Sequence, residues 1–224
     1  PEIFTMRAAP RGMIVVLAVA AASTALADDH GYRSKLTGAG KLDQWVVTGC
    51  DAGAEGDILR LKAGDGLIRT LERHGDFVLE LDWRAARTEN YDSGIYIRAD
   101  LPPEGKPWPA RYQINLKEGK EGNLLGLAGA ESTGLVKKGD WNHFKITVAG
   151  NTAALEINGK PAWKASGLEN ADGYVGLQSE VDGGGQFEFK NIELVDLDYK
   201  PLFNGRDTAG WTGGTDGYKV EDGS

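Results

Sequence analysis

Five polar side chains set on alternating stretches carry the chemistry available to this sequence: Arg98, Gln113, Asn115, Gln178 and Glu180. Planar amides, a guanidinium and a carboxylate give paired hydrogen bonds to vicinal hydroxyls, and Tyr96 or Trp108 can stack on the apolar face of a ring. Asp82, Asp92, Arg111 and Lys117 fall on the same outward phase or beside it. Every β-sandwich has a solvated outer face, and Lys145, Thr147 and Glu156 fit that reading well. Three amides on neighbouring strands do not, because strand propensity gives no reason for them. Glu80 and Asp82 are explained equally well by an ion pair with Arg84 or Arg98.

These side chains need strands to hold them. In Asp76–Arg84, Phe77, Leu79, Leu81 and Trp83 share one face while Glu80, Asp82 and Arg84 share the other. In Asp92–Arg98, Ile95 and Ile97 point one way and Gly94, Tyr96 and Arg98 the other. Both show the period of a half-buried strand, and the polar residues between them predict a β-hairpin. Tyr112, Ile114 and Leu116 point inward from the next strand, leaving Arg111, Gln113, Asn115 and Lys117 outward. Gly150-Asn151 is a hairpin turn between Phe144–Val148 and Ala153–Ile157, and the proline-laden stretch Pro102–Pro109 is a stiff loop with an exposed Trp108. About ten short strands, 32 glycines and no helical pattern after residue 27 predict an all-β, jelly-roll sandwich of two antiparallel sheets.

Residues 1–27 lie outside that fold. Arg7 and Arg11, the apolar run Met13–Ala22 and the small-residue site Ala25-Leu26-Ala27 have the form of a cleaved export signal, with Pro1–Thr5 upstream of the true start. The expected place is therefore periplasmic or extracellular, with no membrane insertion after cleavage. Residues 28–198 form the domain. Residues 199–224 repeat, in outline, the stretch around Leu42–Leu59, and predict the truncated start of a second copy. A formal charge of 25 minus 33, or −8, without a basic cluster, argues against nucleic acid and anionic membranes as partners. Cys50 is the only cysteine, so no intramolecular disulfide forms, and a small buried residue is expected there. His30, His74 and His143 lack metal-ligand spacing and read as surface or turn residues; no cofactor is expected, with a structural calcium in the Glu180–Gly185 loop left open.

The stretches Asp76–Arg84 and Asp92–Arg98, with Tyr112–Asn115, Trp141-Asn142, Leu155–Gly159, Gly176–Glu180 and Phe189–Ile192, resemble the 3-keto-disaccharide hydrolase domain family over residues 40–197. Leu202–Gly205 is similar to that family's opening. The resemblance implies a concanavalin A-like jelly roll acting on an oligosaccharide or 3-keto-glycoside. Two positions depart from it: Asp92 stands where the family usually has Asn, and Arg111 where it often has Glu. A 3-keto group acidifies the C2 proton, so cleavage runs through abstraction, loss of the C1 substituent and water addition. That chemistry needs a base, an enolate polariser and an acid. Glu180 is the expected base, Arg98 the polariser and Asp82 or Asp92 the acid. Asp92, Tyr96, Arg111, Gln113, Asn115, Gln178 and Trp108 are the expected substrate-binding residues. A binding or adhesion module using the same face is the alternative.

Overall fold

The computed structural model describes residues 32–38, 40–180 and 186–199, and its strands follow the alternating stretches of the sequence. In chain order they are β1 (Tyr32–Lys35), β2 (Trp45–Thr48), β3 (Asp51–Glu55), β4 (Ile58–Ala63) and β5 (Gly66–Thr70). Then come β6 (Phe77–Ala85), β7 (Gly94–Ala99), β8 (Gln113–Asn115), β9 (Leu124–Leu125) and β10 (Asn142–Ala149). The last are β11 (Thr152–Ile157), β12 (Lys160–Ser166), β13 (Tyr174–Ser179) and β14 (Phe187–Asp196). No helix occurs among the described residues.

All pairs are antiparallel and form two sheets. The larger runs β12-β11-β10-β6-β14-β4-β3, with β1 also paired to β14; the smaller runs β2-β5-β13-β7-β8-β9. Phe77, Leu79, Leu81 and Trp83 of β6, with Phe144 and Ile146 of β10, face Ile95, Ile97, Ile114 and Leu177 of the smaller sheet, and all are at most 2% exposed. Each such side chain contributes about 1.5–3 kcal/mol on burial. The result is a jelly-roll sandwich whose inner faces are apolar and whose outer faces carry the polar phase.

The expected β6–β7 hairpin does not form. Strand β6 pairs with β10 and β14, and β7 with β13 and β8. Residues 86–93 instead carry the chain from one sheet to the other. Tyr91 anchors this crossing, its ring buried edge-on against Phe187 at 6.0 Å between centroids. A polar connector has the same composition whether it reverses a strand or changes sheets, which is why the turn-like residues misled. The consequence for function is large. Glu80 and Asp82 lie on the outer face of the larger sheet, while Tyr96, Gln113 and Gln178 lie on the outer face of the smaller one, across the whole core.

Gly119–Lys138 is mostly irregular, as its composition suggests, and contains only the short β9. Cys50 is partly rather than fully buried, and burial followed by the Asp51 charge pushes its thiol pKa up. The export signal, His30, the second-copy segment beyond Tyr199 and residues 181–185 of the calcium loop lie outside the described residues.

Candidate functional site

The outward phase of the smaller sheet forms the floor of a cleft of about 670 Å³. Tyr96 of β7 stands between Gly176 of β13 and Gln113 of β8, and Gly94 stands opposite Asn115. Gly94 is needed there: a Cβ would sit 2.1 Å from Gln113 Nε2. The space lets the Gln113 amide reach across β7 and donate to Gln178 Oε1 on β13. Gln178 Nε2 in turn donates to Glu180 Oε2 at 2.7 Å. Two buried amides thus lie end to end and orient one carboxylate. Ser93 Oγ fixes the same strand by donating to the Gln178 carbonyl at 2.5 Å.

Beside this relay, Lys117 Nζ donates to Asp92 Oδ2 at 2.6 Å. Asn115 Oδ1 accepts from the Lys117 backbone N–H at 2.7 Å, so its side chain shapes the turn that presents the lysine. The wall is the proline loop. Trp108 packs on Leu67, Tyr96 and Ala99, and its indole N–H donates to the carbonyls of Gly66 at 3.1 Å and Ser179 at 3.2 Å. It is pinned rather than exposed, against the sequence expectation.

Electrostatics separate the charged groups. Burial raises the pKa of Glu180 above the ordinary carboxylate value, and the Asp92 charge adds to this; Lys117 and the Gln178 hydrogen bond pull the other way, and the upward direction wins. Lys117 is held protonated by its bond to Asp92. Burial, and then the Glu180 charge, keep the Tyr96 phenol neutral by pushing its pKa up. The cleft therefore offers a carboxylate of raised basicity, a cation fixed by its own counter-ion, and neutral donors.

Of the ten residues expected at the site, Asp92, Tyr96, Trp108, Gln113, Asn115, Gln178 and Glu180 line this cleft. Three do not. Arg98 is 1% exposed with φ at +43°, at a shift in the β13–β7 register that turns its side chain away from the outward row. Its guanidinium donates to the carbonyls of Gly75 (2.8 Å), Gly150 (2.6 Å) and Asn170 (3.0 Å) and pairs with Asp76. Every bond it makes is structural. Arg111 points from the loop to Glu169 at 2.5 Å. Asp82, on the opposite sheet, contacts His143 Nδ1 at 2.9 Å and accepts from Asn191 Nδ2 at 2.7 Å.

Lys117, Lys106 and Leu125 also line the cleft, although none of them was among the ten expected site residues. The alternation had placed Lys117 outward, so a signal existed; nothing local marked the other two. His74, expected on a surface turn, is buried with its ring edge-on to Phe77 at 6.2 Å. Among the described residues no three His, Cys, Asp or Glu side chains gather as a metal site would.

The model of the 3-keto-alpha-glucoside-1,2-lyase-like domain matches residues 32–195. The chain belongs to that family. No curated protein matches it. Among solved structures, it is similar to a protein of Parabacteroides distasonis ATCC 8503 described as a candidate glycosyl hydrolase, at 20% identity and TM-score 0.61, over 73% of this chain and 98% of that one. It is also similar to the carbohydrate-binding module CBM66 of Bacillus subtilis, at 15% identity and TM-score 0.53, over 67% and 94%. The β-glucanase of Bacillus licheniformis gives 12% identity and TM-score 0.52 over 75% and 99%. At these identities the shared property is the sandwich fold.

Proposed function

We propose that this family member acts on carbohydrate in the Gln113–Gln178–Glu180 cleft, cleaving 3-keto-glycosides by elimination. The observation that carries the reading is Glu180: a carboxylate of raised pKa, oriented by an amide relay, in the cleft of a domain whose family is lyase-like. In the proposed step Glu180 takes the C2 proton of the keto sugar. The C–H electron pair moves into a C2–C3 enolate whose oxygen the Lys117 ammonium stabilises, in the role expected of Arg98. Collapse of the enolate forms the C1–C2 double bond and expels the C1 oxygen, which takes a proton from solvent. Water addition to the enone would complete hydrolysis. General-base assistance of this kind contributes about 10²–10⁴-fold. The leader-like residues 1–27 support a periplasmic or extracellular place for the reaction.

A binding module remains the second reading, and one observation favours it. Both cleft carboxylates, Glu180 and Asp92, already hold hydrogen-bond partners within the protein. The test is incubation of the protein with matched 3-keto and unmodified glucosides, following release of the leaving group. Release from the keto substrates alone supports elimination. Release from the unmodified sugars as well would replace it with ordinary glycoside hydrolysis, and saturable binding without release would replace it with a binding module.

A further inference from the structure

Where the crossing segment 86–93 meets the irregular stretch 118–138, a separate cavity of about 310 Å³ opens, and it shares no lining residue with the cleft. The wall between the two is a short backbone ribbon. The Leu116 N–H donates to the Ser93 carbonyl at 2.8 Å, and the Glu118 N–H to the Tyr91 carbonyl at 3.1 Å. Successive side chains of an extended segment point to opposite sides. Asp92 and Lys117 accordingly pair in the cleft, whereas their neighbours Tyr91 and Glu118 line the second cavity.

The polar groups around this cavity are mostly acceptors. The buried Tyr91 phenol donates to Glu121 Oε1, and burial, followed by this bond, pushes its pKa up and keeps it neutral. Among the described residues Glu121 is engaged through Oε1 alone, which leaves Oε2 able to accept. Ser132 lines the cavity at 6% exposure, and its buried Oγ has no hydrogen-bond partner among the described residues. A buried hydroxyl left in that state is costly, so its natural partner is a group that enters from outside. Glu118, by contrast, is occupied: it accepts from Lys138 Nζ at 2.8 Å and from the Asn90 N–H at 2.6 Å, which hold its pKa down. The bond to Glu118, then the charges of Glu89 and Glu121, raise the pKa of Lys138, so carboxylates outnumber the one cation here. Leu135 and Val136, packed on the core, supply an apolar wall.

We infer that this cavity is a second ligand site, and that it takes a primary ammonium carried on a short apolar stem. An ammonium brings three donors and no acceptor, which matches Glu121 Oε2, Ser132 Oγ and the lone pairs of the Tyr91 phenol, while the stem lies along Leu135 and Val136. A guanidinium pairs best with both oxygens of a carboxylate, and one of those on Glu121 already holds the phenol. Calcium would need six or more oxygen ligands, and only one carboxylate here is open. The volume stands at the lower end of the range for ligand clefts, about 300–1,000 Å³, so the ligand is small. The site is independent of the cleavage reading.

The test is calorimetry of the full chain, without sugar, against butylammonium, tetramethylammonium, butanol and N-acetyl-lysine amide. Butylammonium should bind saturably at one site. Tetramethylammonium, which has the charge but no N–H, and butanol, which has the stem but no charge, should bind at least about tenfold more weakly. The lysine amide separates two sources of the same chemistry: binding tighter than butylammonium assigns the site to a lysine side chain, and weaker binding assigns it to a free amine. Glu121→Gln keeps an acceptor for the Tyr91 phenol and should weaken butylammonium by about tenfold or more, and Ser132→Ala by about threefold or more. Ser132→Ala removes a hydroxyl that bonds nothing in the protein, so its Tm should not fall; a lowered Tm would show a structural bond and contradict the inference. Absence of saturable amine binding, equal affinity for butanol or tetramethylammonium, or affinity unchanged in both variants overturns it. Calcium binding that Glu121→Gln abolishes, with no amine binding, overturns it in favour of a metal site. None of these outcomes depends on whether the cleft cleaves a sugar.

Discussion

Replacing Arg98 with alanine should cost the fold heavily while saying little about chemistry. The guanidinium is a buried cation that saturates three carbonyls, on Gly75, Gly150 and Asn170, and pairs with Asp76. Those carbonyls belong to three separate connections, so one side chain ties the end of β7 to the turns before β6, after β10 and before β13. Removing it strands their oxygens and leaves Asp76 with only the Gly150 N–H at 2.8 Å. Breaking a buried pair in this way costs about 3–5 kcal/mol. Asp76 keeps 32% of its side chain in water, which places the expectation toward the lower end. For a domain of this length each kcal/mol moves Tm by about 2–4 °C, so a fall of roughly 6–20 °C is expected. Thermal unfolding followed by circular dichroism measures it, and Arg98→Lys should recover only part, because an ammonium cannot reach four acceptors set around a planar fork. Near-wild-type Tm for Arg98→Ala with lost turnover would refute the reasoning and return Arg98 to the polarising role read from sequence.

Three further outcomes follow from the same geometry. Gly94→Ala places a methyl 2.1 Å from Gln113 Nε2, so Gln113 must swing away from Gln178; sugar affinity should drop about tenfold, measured by calorimetry, with a smaller effect on Tm. Turnover should fall as pH drops through a Glu180 pKa lying above the usual glutamate value of about 4.3, because only the carboxylate can accept a proton. Stability moves oppositely: with its folded pKa raised, Glu180 favours folding below the unfolded value and loses that contribution as pH rises through the folded one, so a pH titration of both Tm and kcat/KM should show opposed trends at one inflection. Asp82→Asn should leave turnover of 3-keto-glycosides within about twofold of wild type, since Asp82 faces His143 and Asn191 on the opposite sheet.

Period-two alternation made much of the sandwich readable. It assigned Phe77, Leu79, Leu81, Trp83, Ile95, Ile97, Tyr112, Ile114 and Leu116 to the core, and these are buried. It also placed Gln113, Asn115, Gln178 and Glu180 on one outward phase, and these line one cleft. Alternation fixes the face of a strand but not its sheet, so Asp82 and Tyr96 looked like companions across a hairpin that does not exist. It also assumes an unbroken strand. Arg98 sits where the β13–β7 register shifts and φ is positive, so its outward parity no longer predicts where its side chain goes. Trp108 illustrates a third limit: a tryptophan in a proline loop gives no hint that its indole N–H will find two carbonyls on strands far away in sequence. Long-range hydrogen bonds of this kind are properties of the assembled sheet.

The most direct test of the account is Glu180→Gln, assayed for both cleavage and binding of a 3-keto-glucoside. The amide nearly preserves the shape of the side chain and its contact with Gln178 but cannot accept the C2 proton. The account predicts a fall in kcat of about 10²–10⁴-fold with sugar affinity changed by less than about threefold. Undiminished kcat would contradict it and remove Glu180 from the chemistry.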